Sequence, residues 1–133
     1  MIRFDIQYPK GSKAKTIWNR RFGLNAYYAG KRWQERKRDA EELHMIARAA
    51  MHRAGIRQEI IQGPVALTFY FDDGLDCSNH AMLVKAIEDA MKGYIIKDDS
   101  RKYVQSITMK FHGKDCIRVE VEELGGPIQA RER

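Results

Sequence analysis

Residues 64–72 (PVALTFYFD) carry apolar side chains on both faces of a short extended run, and this constrains the fold more than any other stretch. A strand with one face in water alternates. One that is apolar throughout belongs in the middle of a sheet. Residues 1–8 (MIRFDIQY) do alternate, placing Ile2, Phe4, Ile6 and Tyr8 on one face of a first strand. Residues 102–111 and 115–123 read as two more strands, the second alternating Ile117, Val119 and Val121 against Arg118, Glu120 and Glu122. The intervening His112-Gly113-Lys114 predicts a β-hairpin between them. Two segments have helical period. Between about 30 and 54 an apolar stripe runs through Ala40, Leu43, Ala47, Ala50 and Ala54, with Ile46 and Met51 beside it and Gly55 as a stop. Ser78 or Asn79 can cap a second helix reaching about Lys92, with Leu83, Ile87 and Met91 inward.

The net charge of +6 is unevenly spread. Residues 1–38 hold eleven Lys and Arg against Asp5 and Glu35, whereas residues 39–133 hold thirteen against sixteen Asp and Glu. A basic front and a mildly acidic back is the asymmetry of a phosphate-backbone binder. The cations are Lys10, Lys13, Lys15, Arg20 and Arg21, then Lys31, Arg32, Arg36 and Lys37. The earlier five lie in residues 10–28, which have no clean period, among Trp18, Phe22, Tyr27 and Tyr28. Such rings either stack on unpaired bases or pin an irregular segment to the core. The later four sit in the first turns of a helix, where cations oppose the macrodipole and so suggest another task. No apolar run approaches the ~20 residues that span a bilayer, and no signal-peptide core is present. Cys77 and Cys116 follow no disulfide pattern. These features predict a cytoplasmic protein with no membrane partner.

The chemistry-bearing stretch is Asp76-Cys77-Ser78-Asn79, Lys85 six residues on, and the doublet Asp98-Asp99. Carboxylate oxygens are the hard ligands Mg²⁺ takes, one or two at a time, leaving positions for water and phosphate. A lysine on the same wall can neutralise charge on a phosphate under attack. Asp76 and Asp99, each beside a break in regular structure, are the leading ligand candidates. Asp98 is a secondary one, and Asn79 is either a helix cap or a neutral ligand. The histidines at 44, 52, 80 and 112 fit no zinc spacing, and no nucleotide-binding fingerprint occurs. His80 reads as a helix-start residue. The bland alternative is that Lys85 and Asp89 form a surface pair and the Asp-rich stretches are turns.

"DCSNHAMLVKAIEDAM" followed by "IIKDDS" resembles the core of the RusA-type Holliday junction resolvases, small Mg²⁺-dependent endonucleases of phages and prophages. The matching positions are Asp76, Asn79, Lys85, Asp89 and Asp98-Asp99, and "LNAYYAGKRWQERKR" upstream is similar to a family segment preceding a basic helix. The resemblance runs from about Leu24 to Ser106. It implies Asp76 and Asp99 as metal-binding carboxylates, Lys85 as the catalytic lysine, and an intertwined homodimer that nicks a four-way DNA junction symmetrically. Two departures stand out. Ser78 occupies the place of a second Asp and offers only a neutral, weaker ligand, which Asp72, Asp73 or Asp98 would have to offset. The interval from Asn79 to Lys85 is three residues longer than in the prototype.

Together these readings predict an α+β domain over residues 1–124, with a mixed β-sheet and two main helices, and a disordered polar tail at 125–133. The expected activity is Mg²⁺-dependent resolution of four-way junctions, with Mn²⁺ as a substitute and no nucleotide cofactor. The rivals are a flap or fork nuclease and a junction- or single-strand-binding protein with weakened chemistry.

Overall fold

The computed structural model describes residues 1–25 and 29–125. The expectations for Tyr27, Tyr28 and the tail beyond Gly125 lie outside the described residues. The elements in chain order are β1 (Ile2–Gln7), α1 (Ser12–Phe22), α2 (Trp33–Arg53), β2 (Val65–Phe71), a 3₁₀ turn (Cys77–His80), α3 (Ala81–Met91), β3 (Val104–Phe111) and β4 (Cys116–Glu123). They form one four-stranded mixed sheet in the order β1-β4-β2-β3, so the chain is α+β. No helix among the described residues is long and apolar enough to cross a membrane.

β2 is an interior strand, as its composition predicts, but only one of its faces is fully covered. Val65, Leu67, Phe69 and Phe71 are buried, while Ala66, Thr68 and Tyr70 between them are half-buried. The register sets Phe69 against Val119 and Val119 against Phe4, so the buried rows of three strands form one apolar face. Onto that face pack Leu43, Ala47 and Met51 of α2, then Leu83, Ile87 and Met91 of α3, all fully buried in one core cluster. The opposite face is polar and self-paired. Arg118 binds Asp5 through two hydrogen bonds, Arg3 reaches Glu120 at 2.9 Å, and the Tyr70 hydroxyl donates to Glu120 at 2.9 Å.

Two expectations are corrected. β3 and β4 do not form a hairpin, because β2 lies between them, parallel to β3 and antiparallel to β4. The two flanking strands look adjacent in sequence, yet burying both long edges of the apolar β2 outweighs the local turn. Residues 12–22 are not irregular but form α1, a third helix. Its apolar stripe is only Trp18 and Phe22, one turn apart and both buried, too narrow to register as a period.

Candidate active site

The turn that carries Asp76 is pinned from below by a buried pair. His80 is fully buried, stacked on Phe71 with ring centroids 3.7 Å apart. Its Nε2 lies 2.8 Å from both carboxylate oxygens of Asp73, and its Nδ1 lies 3.1 Å from the Cys77 carbonyl. Asp73 also accepts from the Leu75 amide at 3.0 Å. The Tyr8 hydroxyl accepts from the Asp72 amide at 2.9 Å, and burial raises its pKa well above the ordinary phenol value. From α1, Asn19 donates to the Asp73 carbonyl at 3.0 Å. His80 does stand at the start of α3, as expected, and its imidazole anchors the preceding loop from inside.

On this base Asp76 occupies the residue before the 3₁₀ turn, its carbonyl accepting from the Asn79 amide at 3.0 Å and its side chain exposed. Ser78 is exposed as well. Asn79 caps neither helix by its side chain; its Oδ1 accepts from the Asn25 amide at 2.8 Å and ties the segment after α1 to this loop. Asp73, considered as an offset for Ser78, is consumed by His80.

Lys85 and Asp99, fourteen residues apart, meet at 2.6 Å. The same ammonium lies 3.3 Å from Asp89 and 4.0 Å from Glu88. Lys92 stands 3.7 Å from Asp99 and 3.9 Å from Asp89. The hydrogen bond from Lys85 holds the Asp99 carboxyl below the ordinary carboxylate range, and the same bond raises Lys85 above the usual lysine value. Both groups are therefore charged across the working pH range, and Lys85 can serve as an electrostatic donor but not as a base. Glu88 is different. It is buried, and desolvation raises its carboxyl above the ordinary value.

Asp99 is delivered by a braced turn. Arg48 of α2 donates to the carbonyls of Ala90 at 2.6 Å and Lys92 at 2.9 Å, capping the C-terminus of α3, and lies over the Tyr94 ring. Gly93, at φ 79°, adopts the left-handed conformation that the reversal there requires. Tyr94, Ile95 and Ile96 are buried, and Asp98 and Asp99 follow on the surface, half-buried.

The basic front divides into two groups. Lys10, Lys13, Arg20, Arg32 and Lys37 are exposed. Lys15 pairs with Asp115 at 2.8 Å. Arg21 binds Asp39 and Glu42, Lys31 donates to Asp39 and to the Arg21 carbonyl at 2.6 Å each, and Arg36 donates to the Lys31 carbonyl. Arg21 and Lys31 thus hold α1 and the segment before α2 onto a buried Asp39. Sequence reasoning passed over Asp39, Arg48 and Glu88. Asp39 carried one signal: it is an acid beside Ala40 at the edge of the apolar stripe of α2.

A scan against protein-family models matched none, and a search of curated proteins gave no significant match.

Proposed function

We propose that the chain is a divalent-cation-dependent endonuclease acting on four-way DNA junctions as a homodimer, with Lys85 and Asp99 at its centre. The observation that carries this reading is the Lys85–Asp99 contact at 2.6 Å on an open surface. It couples a cation to a carboxylate, each favouring the other's charged form, on a protein whose exposed Lys10, Lys13, Arg20, Arg32 and Lys37 can hold a phosphate backbone.

The donor chemistry suits Mg²⁺ or Mn²⁺: Asp76, Asp98, Asp99 and Ser78 offer oxygen only. Among the described residues, no three His, Cys, Asp or Glu side chains converge to hold an ion, and Asp99 is engaged by Lys85. Asp99 and Asp98 would hold the cation, one or two carboxylates being its usual share, and Asp76, exposed ahead of the 3₁₀ turn, is the further oxygen donor. When bound, it would polarise the phosphodiester and acidify a water. Lys85, keeping its protons, would turn its hydrogen bond from Asp99 to a phosphate oxygen and stabilise the charge that develops there. Lys92, within 4 Å of Asp99, keeps the carboxylate ionised during that exchange.

The edge strand β3 supports a homodimer. Ile107 and Phe111 continue the apolar face of the sheet in register with Leu67 and Phe71, yet are 40% and 57% exposed. A second copy covering this edge would bury them. The engagement of Asp99 by Lys85, together with Ser78 in place of a carboxylate, favours one other reading: a junction-binding protein of weakened chemistry.

The test is cleavage of a labelled four-way junction with Mg²⁺ or Mn²⁺, beside flap, fork and linear duplexes, by wild type, Asp76→Asn and Lys85→Met. Paired nicks in the junction alone, lost in both variants while binding persists, are the expected result. Equal cutting by Asp76→Asn would remove that residue from the site. Tight binding without nicks under either metal would leave the binding-protein reading.

A further inference from the structure

Trp33 opens α2 with 65% of its surface exposed. The other tryptophan, Trp18, is 9% exposed and packs against Phe22 with centroids 4.6 Å apart. Of the rings that interleave with the basic residues, Trp18 and Phe22 are therefore core, and the aromatic surface lies further along the chain. An indole left in water at the start of a helix contributes little to the fold and suits a ligand with a flat face.

Its surroundings specify the ligand. Residues 32–38 hold Arg32, Arg36, Lys37 and Arg38 against Glu35 alone, and Arg32, Lys37 and Arg38 are exposed. Lys37 is one turn beyond Trp33 on the same helix face. There it joins the lining of an open groove of about 570 Å³ between α2 and α3, with Ala40, Glu41, His44, Met45, Ala86 and Asp89. The cations stand at Lys37, and the acids Glu41 and Asp89 leave phosphates no hold further in. Asp89 is 3.3 Å from Lys85. The groove thus has in its lining Lys37, one turn from an exposed indole, and Asp89, which pairs with Lys85.

We propose that Trp33 is the stacking platform for an unpaired base of a DNA strand. The phosphates of that strand lie on Arg32 and Lys37. Base stacking on an aromatic ring tolerates any sequence, because every base has a π-face, and flanking cations hold the backbone in place. A fully paired duplex has no free base face to offer, so the platform selects branched or opened DNA. This inference rests on the nuclease reading for its choice of DNA, but its test is separate.

Tryptophan emission of the full chain is titrated with a short oligothymidylate and, in parallel, with a linear duplex. Because Trp18 is buried, quenching reports on Trp33. Oligothymidylate should quench the emission and the duplex should not. Trp33→Ala should lose the quench and bind the oligonucleotide roughly five- to a hundredfold more weakly, with Trp33→Phe retaining most of the affinity. Truncation at so exposed a site leaves the core intact, which circular dichroism of both variants checks. Wild-type affinity in Trp33→Ala would overturn the proposal. So would an emission shift that follows protein concentration without DNA, since it would assign this face to self-association. Junction cleavage is scored on the same samples. Quenching without cleavage sinks the nuclease and keeps the platform, whereas cleavage without quenching does the reverse.

Discussion

Replacing Asp39 by asparagine should unsettle the front of the molecule more than any other single polar change. The Asp39 side chain is 10% exposed and receives Lys31 at 2.6 Å, itself 14% exposed, and Arg21 at 2.8 Å, 32% exposed. Removing one partner of a buried ion pair costs about 3–5 kcal/mol, chiefly because the other charge is left without compensation. Arg21 keeps Glu42 and is a third open to water, so its share is screened. The expected loss is therefore about 2–3 kcal/mol. With an unfolding entropy of roughly 2.1 cal/mol/K for each of 133 residues, Tm should fall by about 7–11 °C. The deficit should also depend on pH. Burial raises the Asp39 carboxyl, but its hydrogen bonds from Lys31 and Arg21 outweigh burial and leave it below the ordinary value. A carboxyl with a depressed folded pKa contributes stability above its unfolded value, near 4, and loses it as pH falls through the folded value. Urea unfolding of wild type and Asp39→Asn at neutral pH and near pH 3 measures both effects. A deficit below about 1 kcal/mol at neutral pH, or one that does not shrink in acid, would refute the argument. Lys31→Met with Asp39→Leu should recover much of the loss, because no buried charge then stands alone.

Phe69→Ala removes a fully buried ring from an interior strand and should cost about 3–5 kcal/mol by urea unfolding, without changing which DNA is bound. Lys85→Met removes a side chain 59% exposed, so stability should move by less than about 1 kcal/mol while cleavage is lost; a large Tm change would mean that the cluster is structural. Ile107→Lys should abolish the proposed dimer, sedimenting as a monomer at unchanged helix content, and a variant that still sediments as a dimer would exclude the β3 edge as the interface.

The parts of this fold that the sequence discloses are those where one face decides burial. β1 and β4 alternate and are buried on the alternate residues, and α3 turns Leu83, Ile87 and Met91 inward as its period requires. The failures have physical causes. α1 is held by two aromatic contacts and by Arg21, which binds two acids on another helix, and no local period encodes these. The position of β2 between β3 and β4 is a choice among edges, settled by tertiary burial and invisible to turn chemistry. In the site, the direct contact of Lys85 with Asp99 was not legible, helical spacing pairing Lys85 with Asp89 instead, but both residues were legible as candidates. The braces were not, since Arg48 lies 42 residues before the Ala90 carbonyl it binds and His80 becomes an anchor only when Phe71 stacks on it.

The order of the strands also governs when this protein can begin to exist during its synthesis. β1 is the first strand made, yet its neighbour in the sheet is β4, with Ile2 opposite Val121. β2 likewise waits for both β3 and β4. Among the described strands, only the parallel β2–β3 pair can form before β4 leaves the ribosome, at ~5–20 residues per second. Until β4 emerges, β1 has no sheet partner and β2 has one of its two, and loop closure over most of the chain precedes any sheet contact of β1. A nascent chain halted before residue 116 should therefore hold at most the β2–β3 pair and leave β1 open to proteases and chaperones, with the complete sheet arriving late.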